Sequence, residues 1–376
     1  MLGRNSSLVS SSKSYCVLPY VSFTTTVNGN VVKPCCRWEY QDDDTLISLK
    51  EFSKDPMEIL RNGAFKHIRE SQSKNKIPQC NKCYFDEDHD KVTMRQHHNE
   101  LFNFVNSNTY EKTRRLEIGI DSLCNLECRM CNSGFSTKLY NRDMTFGLAT
   151  PQKLTTPDLS FLDKIDLSEL SELKIIGGEP FLSPNLETLI DKIDPKNVFI
   201  ELATNGTVIP SDSVIQKLKK FKRVHISISL DAVHPINDYQ RTHSSYKNIL
   251  ENVIRMRERI SNGEFTIWPV IGIYNANVMP QTKSYVENLG FRFRYGWIYG
   301  WASLENVPHY YIDWLLDCVK DTEFEEHYKK YFEKNRYDKN KWNFFLEMTK
   351  KLDAYYDINL KDYNLELAEV LHYDVI

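Results

Sequence analysis

Three thiols fall within eight residues in the run Cys124-Asn-Leu-Glu-Cys128-Arg-Met-Cys131. Soft thiolates suit both zinc and iron–sulfur units. A structural zinc site closes on four ligands, usually presented as C-x2-C pairs, so three thiols leave it one short. Three thiolates can instead hold three irons of a cubic [4Fe–4S] cluster. The fourth iron is then open to a small molecule and to transfer of one electron. Spacing alone leaves a zinc knuckle, buried free cysteines and the open cluster as readings.

Cys16, Cys35, Cys36, Cys80 and Cys83 make a second set. Cys80-Asn-Lys-Cys83 is a C-x2-C clasp, and Cys35-Cys36 follows a hairpin signal at Asn28-Gly29. Four of these thiols would close the shell of a structural zinc or of a second [4Fe–4S] cluster, and spacing does not separate the two. The remaining cysteine, Cys318, lies in a helical stretch and reads as a buried small hydrophobe. The odd total of 9, the close spacings and an N-terminus without a secretory apolar core favour metal in a reducing cytoplasm over disulfides.

The elements that position these groups follow from pattern. With 376 residues, 41% of them hydrophobic, the chain can bury one large core and a smaller unit. A net charge of −3 weighs against a general nucleic-acid binder. The basic run Lys217–Arg223 reads as a solvated helix end. No apolar stretch reaches membrane-spanning length, so no span is expected. Residues 16–100 show little apolar periodicity and would need bound metal to hold together. Val21–Val27 and Asn30–Lys33 read as strands, and Met57–Glu70 as a helix. Asp86-Glu87-Asp88-His89 and Arg95-Gln-His97-His98 read as a solvated linker or as the lining of a substrate channel. His97 and His98, being adjacent, are expected to point apart and to make a poor joint ligand pair.

From Arg115 the pattern becomes a βα alternation. Strands are expected at Leu116–Ile120, Leu173–Ile176, Val198–Ala203, Val224–Leu230, Phe265–Ile273 and Phe291–Gly296. Helical stretches are expected near Ser133–Asp143, Asn185–Ile193, Ser211–Lys219, Tyr246–Ile260 and Met279–Leu289. Such an order implies a parallel sheet with functional groups at the C-terminal ends of its strands. The aromatic-rich tail from 297 onward, with Tyr310-Tyr311 as one of its pairs, is expected to be helical and to serve packing. The expected domains are 1–100, 101–296 and 297–376.

At Cys124, Cys128 and Cys131 the chain resembles the radical S-adenosylmethionine (SAM) enzymes, with the likeness covering about 115–296. The resemblance implies an α/β fold, a partial (β/α)6 barrel with a small N-terminal iron–sulfur module and a helical, aromatic-rich C-terminal region. It implies that the cysteine trio carries the SAM-binding [4Fe–4S] cluster, with Met130 beside the adenine. Gly177-Gly178-Glu179-Pro180 looks like the segment that holds the methionine amine of SAM, which assigns Gly177, Gly178 and Glu179. On residue type alone, paired glycines after a strand fit either a close backbone approach or a plain turn. Ser229 is carried over to the carboxylate or ribose end, with Asn205 and Asp231 near the mouth. Arg241 fits a charge pair with the SAM carboxylate or a surface salt bridge, and Ile271 packing on adenine.

The second cysteine set resembles the auxiliary-cluster module called twitch or SPASM. It assigns Cys16, Cys35, Cys80 and Cys83 to an auxiliary [4Fe–4S] cluster, with Cys36 as the other choice for the second ligand. The departure is order, since that module usually follows the barrel. The resemblance implies reductive cleavage of S-adenosyl-L-methionine to a 5′-deoxyadenosyl radical and hydrogen abstraction from a substrate carbon. The expected substrate is a peptide or protein, and the expected electron source an external one-electron donor such as flavodoxin or ferredoxin. No further N-terminal domain for a leader peptide is expected. A small metabolite or sugar-nucleotide substrate is the alternative, and a non-catalytic iron–sulfur electron carrier the contrasting class.

Overall fold

The computed structural model describes residues 14–27, 31–39, 47–88, 92–105, 109–148, 157–333 and 336–373. Asn28-Gly29, the expected hairpin turn, and His89 lie outside them. The chain forms two compact units. The first comprises Met1–Ser122, Gln152–Leu202 and Lys220–Val224, and the second Leu123–Pro151, Ala203–Lys219 and His225–Ile376.

In the first unit, β1 (Ser22–Thr25) pairs antiparallel with β2 (Val31–Lys33), and β2 with β3 (Ile47–Ser48). On its other side β1 pairs parallel with β4 (Arg115–Gly119). β4 pairs parallel with β5 (Glu172–Ile176), and β5 with the unit's part of β6 (Phe199–Thr204), in a register that aligns Arg115, Glu172 and Phe199. Leu116, Ile118, Leu173, Ile175, Ile200 and Leu202 turn to one face and are almost fully buried. The alternate positions Arg115, Glu117, Glu172, Lys174 and Glu201 turn their charges to the other, as the period of two requires. Gly119 is demanded by a close approach, because a Cβ there would lie 2.4 Å from the Thr26 carbonyl carbon. The expected helix Met57–Glu70 is two helices, Pro56–Arg61 and Ala64–Lys74. It breaks at Asn62-Gly63, where Gly63 lacks helical geometry.

In the second unit, β7 (Arg223–Ile228, whose first residues belong to the first unit), β8 (Gly263–Ile267) and β10 (Arg292–Phe293) are neighbours in that order. β9 (Val270–Ile271) pairs with β11 (Gly296–Trp297). The expected strand Phe265–Ile273 therefore breaks in two around Pro269, which has no N–H to offer a ladder. Phe291–Gly296 likewise divides between β10 and β11. Helices Asp212–Leu218, Tyr246–Arg259 and Met279–Asn288 fall where expected, the first two capped by Ser211 and Ser245.

The helices His309–Cys318, Glu323–Phe332 and Lys339–Tyr356 form the aromatic tail. Tyr311, Tyr328, Trp342 and Phe345 are buried in one apolar cluster, so the packing role holds. Cys318 departs from expectation: it ends its helix exposed, not buried. The mixed sheet-and-helix core thus resembles the (β/α) barrel expected from the alternation. No helix among the described residues is long and apolar enough to cross a membrane.

Candidate functional site

The cysteine trio lies in the loop after β4, in the second unit, and its backbone is tied down on several sides. Glu127 N donates to Thr242 O at 3.2 Å and Arg129 N to Gln240 O at 2.8 Å. Arg142 donates to the carbonyls of Cys128 at 3.0 Å and Cys131 at 2.6 Å. The Arg129 side chain is fully buried. It donates to Tyr239 O at 2.9 Å, lies 3.6 Å over the Tyr239 ring and pairs with Asp353 from the helix Lys339–Tyr356.

Hydrogen-bond donors converge on the sulfurs. Leu126 N lies 3.5 Å and Asn205 Nδ2 3.8 Å from Cys124 Sγ. Arg241 Nη1 lies 3.9 Å from Cys128 Sγ. Asn205 is aimed by its own contacts, donating to Asn125 Oδ1 at 3.0 Å and accepting from Thr207 N at 2.9 Å. Burial pushes the Cys128 thiol up to about 12 and the Cys131 thiol up to about 11, with Arg241 opposing the shift in both. Without metal these thiols keep their protons. N–H donors and a guanidinium at sulfur are what a deprotonated, metal-bound trio requires, so the residues fit a cluster.

Arg241 is not a surface salt bridge. Its Nε is 2.8 Å from Asp231 Oδ2 and its Nη2 3.1 Å from Asp231 Oδ1, with Asp231 fully buried. Asp231 Oδ1 also accepts from Val270 N at 3.0 Å. Ile271 is buried in the apolar cluster against which Met130 packs. Ser229 directly follows β7 and is partly exposed, its N–H bonded to Thr204 O at 2.8 Å.

In the first unit, Gly177 and Gly178 follow β5. A Cβ on Gly177 would lie 2.6 Å from Asp121 O, and Gly178 N donates to that same carbonyl at 2.9 Å. The glycine pair thus serves a close backbone approach to Asp121, which stands three residues before Cys124 in sequence. Glu179 is fully buried and accepts from Phe181 N at 3.2 Å, capping the turn Pro180–Leu182.

The second cysteine set also lies in the first unit. Burial raises Cys16 to about 12, and the nearby Cys80 and Cys83 add to the rise. Cys35 is raised by burial and then by Cys16, Cys36 and Cys80. For Cys36, next to it in the chain, the largest influence after burial is Glu117, and its Sγ lies 3.8 Å from Met94 Sδ. The segment bearing Cys16 is held by Gln72 Nε2 donating to Cys16 O at 2.8 Å and Arg95 Nη1 donating to Tyr15 O at 2.7 Å.

Residues 122–279 match the Radical SAM superfamily. Mycofactocin maturase MftC of Mycolicibacterium smegmatis is 28% identical over 145 residues, 38% of this chain and 33% of that protein. The subtilosin biosynthesis protein AlbA of Bacillus subtilis is 25% identical over 212 residues, 54% of this chain and 41% of its own. A probable GTP 3′,8-cyclase of Methanocaldococcus jannaschii is 28% identical over 124 residues, 32% and 38% of the two chains. The chain thus spans 33% to 41% of these curated relatives. Among solved structures, SuiB of Streptococcus suis bound to S-adenosylmethionine is 15% identical with a TM-score of 0.40, covering 84% of this chain and 69% of that one.

The radical SAM match covers Cys124, Cys128, Cys131, Met130, Gly177, Gly178, Glu179, Asn205, Ser229, Asp231, Arg241 and Ile271. The structure adds residues around the trio that sequence reading passed over: Arg129, Arg142 and Asp353. Their one signal was charge inside or beside a cysteine loop, and nothing local says that Asp353 returns to Arg129.

Two expectations outside the radical SAM region are corrected. Arg95 and Glu87 are not a solvated linker, since they pair in a largely buried contact with Arg95 Nε 2.9 Å from Glu87 Oε1. His97 and His98 do not diverge. Their rings lie 5.0 Å apart, and with Glu172 they place three ligand atoms within 4.8 Å of one another. Both histidines lie in the helix Met94–Leu101, where adjacent Cα–Cβ bonds point apart, yet their rings meet edge to face at 83°.

Proposed function

We propose that this chain is a radical SAM enzyme that modifies a peptide or protein by hydrogen abstraction at carbon. Cys124, Cys128 and Cys131 would hold a [4Fe–4S] cluster by three irons. With S-adenosyl-L-methionine bound, that centre supplies a 5′-deoxyadenosyl radical able to take hydrogen from an unactivated C–H bond. Asn205 and Arg241 keep donors on the sulfurs and stabilise their negative charge. Gly177, Gly178 and Glu179 would receive the methionine amine of SAM, and Ser229 its carboxylate or ribose. Met130 and Ile271 offer the adenine an apolar wall that excludes water. Cys16, Cys35, Cys80 and Cys83 would hold an auxiliary [4Fe–4S] cluster that takes an electron from the substrate. A flavodoxin- or ferredoxin-type protein of the cytoplasm would feed the first centre.

The observation that carries the reading is the convergence of Leu126 N, Asn205 Nδ2 and Arg241 Nη1 on the Cys124 and Cys128 sulfurs. Its test is anaerobic reconstitution with iron and sulfide, reduction in the presence of SAM, and chromatographic assay of 5′-deoxyadenosine. Formation by the wild-type protein and none by Cys128→Ser is expected. Brown protein that yields no 5′-deoxyadenosine would make it an electron carrier instead. The peptide substrate is supported by the relatives named a maturase and a bacteriocin biosynthesis protein. A small-molecule substrate is favoured by the match to the GTP 3′,8-cyclase. Deuterium transfer into 5′-deoxyadenosine from labelled peptide or nucleotide pools discriminates the two.

A further inference from the structure

We propose that His97, His98 and Glu172 hold a divalent cation, zinc by their donor set, distinct from both cysteine centres. The argument begins with the His98 ring. Its Nδ1 lies 2.7 Å from Met94 O, a carbonyl that can only accept, so Nδ1 carries a proton. In the neutral ring Nε2 is then a bare lone pair, and it faces Glu172 Oε2 at 3.2 Å. Across that gap two acceptors face each other, unless a second ring proton bridges them. A cation resolves this, and a carbonyl-anchored Nδ1–H is the usual orienting contact of a metal-bound histidine.

The spacing agrees. Zinc–nitrogen and zinc–oxygen bonds of about 2.1 Å in a tetrahedron put neighbouring ligand atoms about 3.4 Å apart, close to the observed 3.2 Å. His97 supplies the third donor from the next residue, within 4.8 Å of the other two. It is exposed, so its ring can close on an ion without disturbing a core. Arg115 Nε lies 3.5 Å from the same Glu172 oxygen and holds the carboxylate in place.

The location separates this site from the SAM-binding turn. Glu172 is the first residue of β5, and Gly177 follows its last. Five residues at about 3.3 Å each put the two about 16 Å apart along the strand. The ion would staple helix Met94–Leu101 to the N-terminal end of β5.

The test uses the full chain with its iron–sulfur sites already reconstituted, so that the cysteines are occupied. The protein is equilibrated with Zn2+, desalted and measured by plasma mass spectrometry for zinc and iron. Wild type should retain one zinc per chain, and His97→Ala and Glu172→Gln none, with iron unchanged in His97→Ala. A Co2+ titration should give bands without sulfur-to-cobalt charge transfer. Equal zinc in wild type and His97→Ala, or none in wild type, overturns the proposal and leaves an imidazolium–carboxylate pair. Sulfur charge-transfer bands, or iron lost along with zinc in His97→Ala, overturn it as well.

Discussion

Arg241 sets its Nε 2.8 Å from Asp231 Oδ2 while its Nη1 reaches toward the Cys128 sulfur at 3.9 Å. One buried carboxylate therefore aims a cation at a thiol. Through Val270 N, 3.0 Å from Oδ1, it also anchors the start of β9. The arrangement ties the end of β7, the cysteine loop and β9 into one polar knot.

Arg241→Gln should strip positive charge from beside the trio. The reconstituted centre should then be harder to reduce, and its potential in an EPR-monitored titration should fall. The change also leaves Asp231 buried and unpaired, which costs about 3–5 kcal/mol in such sites. The double variant Asp231→Asn/Arg241→Gln should recover much of that stability in denaturant unfolding without recovering the potential. A potential unmoved by Arg241→Gln would refute the role given to this guanidinium.

Cys35 and Cys36 should behave differently despite being neighbours. After burial, Cys16 and Cys80 are among the groups that raise Cys35, whereas Glu117 is the largest influence on Cys36. Cys35→Ser should lose about half the iron of a two-cluster protein, measured against protein concentration. Cys36→Ser should keep it. The reverse pattern would move the second ligand to Cys36.

Burial raises Cys16, Cys80 and Cys128 to about 12, against about 8.5 for an unfolded thiol. A folded state that holds its proton more tightly is stabilised fully below the unfolded value. That contribution is lost as pH rises from about 8.5 toward 12. Metal-free protein should accordingly melt at lower temperature at pH 10 than at pH 8. Iron loading runs the other way, because ligation displaces those protons, so apparent affinity should rise with pH. Melting and loading curves recorded across this range check both directions.

Gly177→Ala places a methyl 2.6 Å from Asp121 O, a backbone atom that cannot swing aside. The turn must shift, and the neighbouring Gly178 N–Asp121 O bond of 2.9 Å shifts with it. SAM affinity measured by isothermal titration should drop at least about tenfold, equivalent to about 1.4 kcal/mol, while the iron content of the cysteine trio stays. Unchanged affinity would remove this glycine from the cofactor site.

The features carried by short covalent spacing were readable directly. Cys124, Cys128 and Cys131 sit within one loop, Cys80 and Cys83 within one turn, and Gly177-Gly178 directly after a strand. In such runs the chain itself sets the distance between groups, so residue type and interval suffice. The alternation of Leu116, Ile118, Leu173 and Ile175 announced β4 and β5 for the same reason, since a period of two is local. The break of Phe265–Ile273 around Pro269 was not anticipated, although a residue without an N–H stood in the run to mark it.

Tertiary structure decided what depends on residues far apart. Asp353 lies 224 positions from Arg129 and still pairs with it. Glu172 lies 74 positions from His98 and still brings a carboxylate oxygen within 4.8 Å of a ring nitrogen of each adjacent histidine. Arg241 looked like a surface or cofactor charge until Asp231 was found against it. Partners of this kind are chosen by how strands and helices pack, and the low-dielectric interior makes each buried charge find one. Sequence order carries no measure of that proximity, whereas the folded chain does.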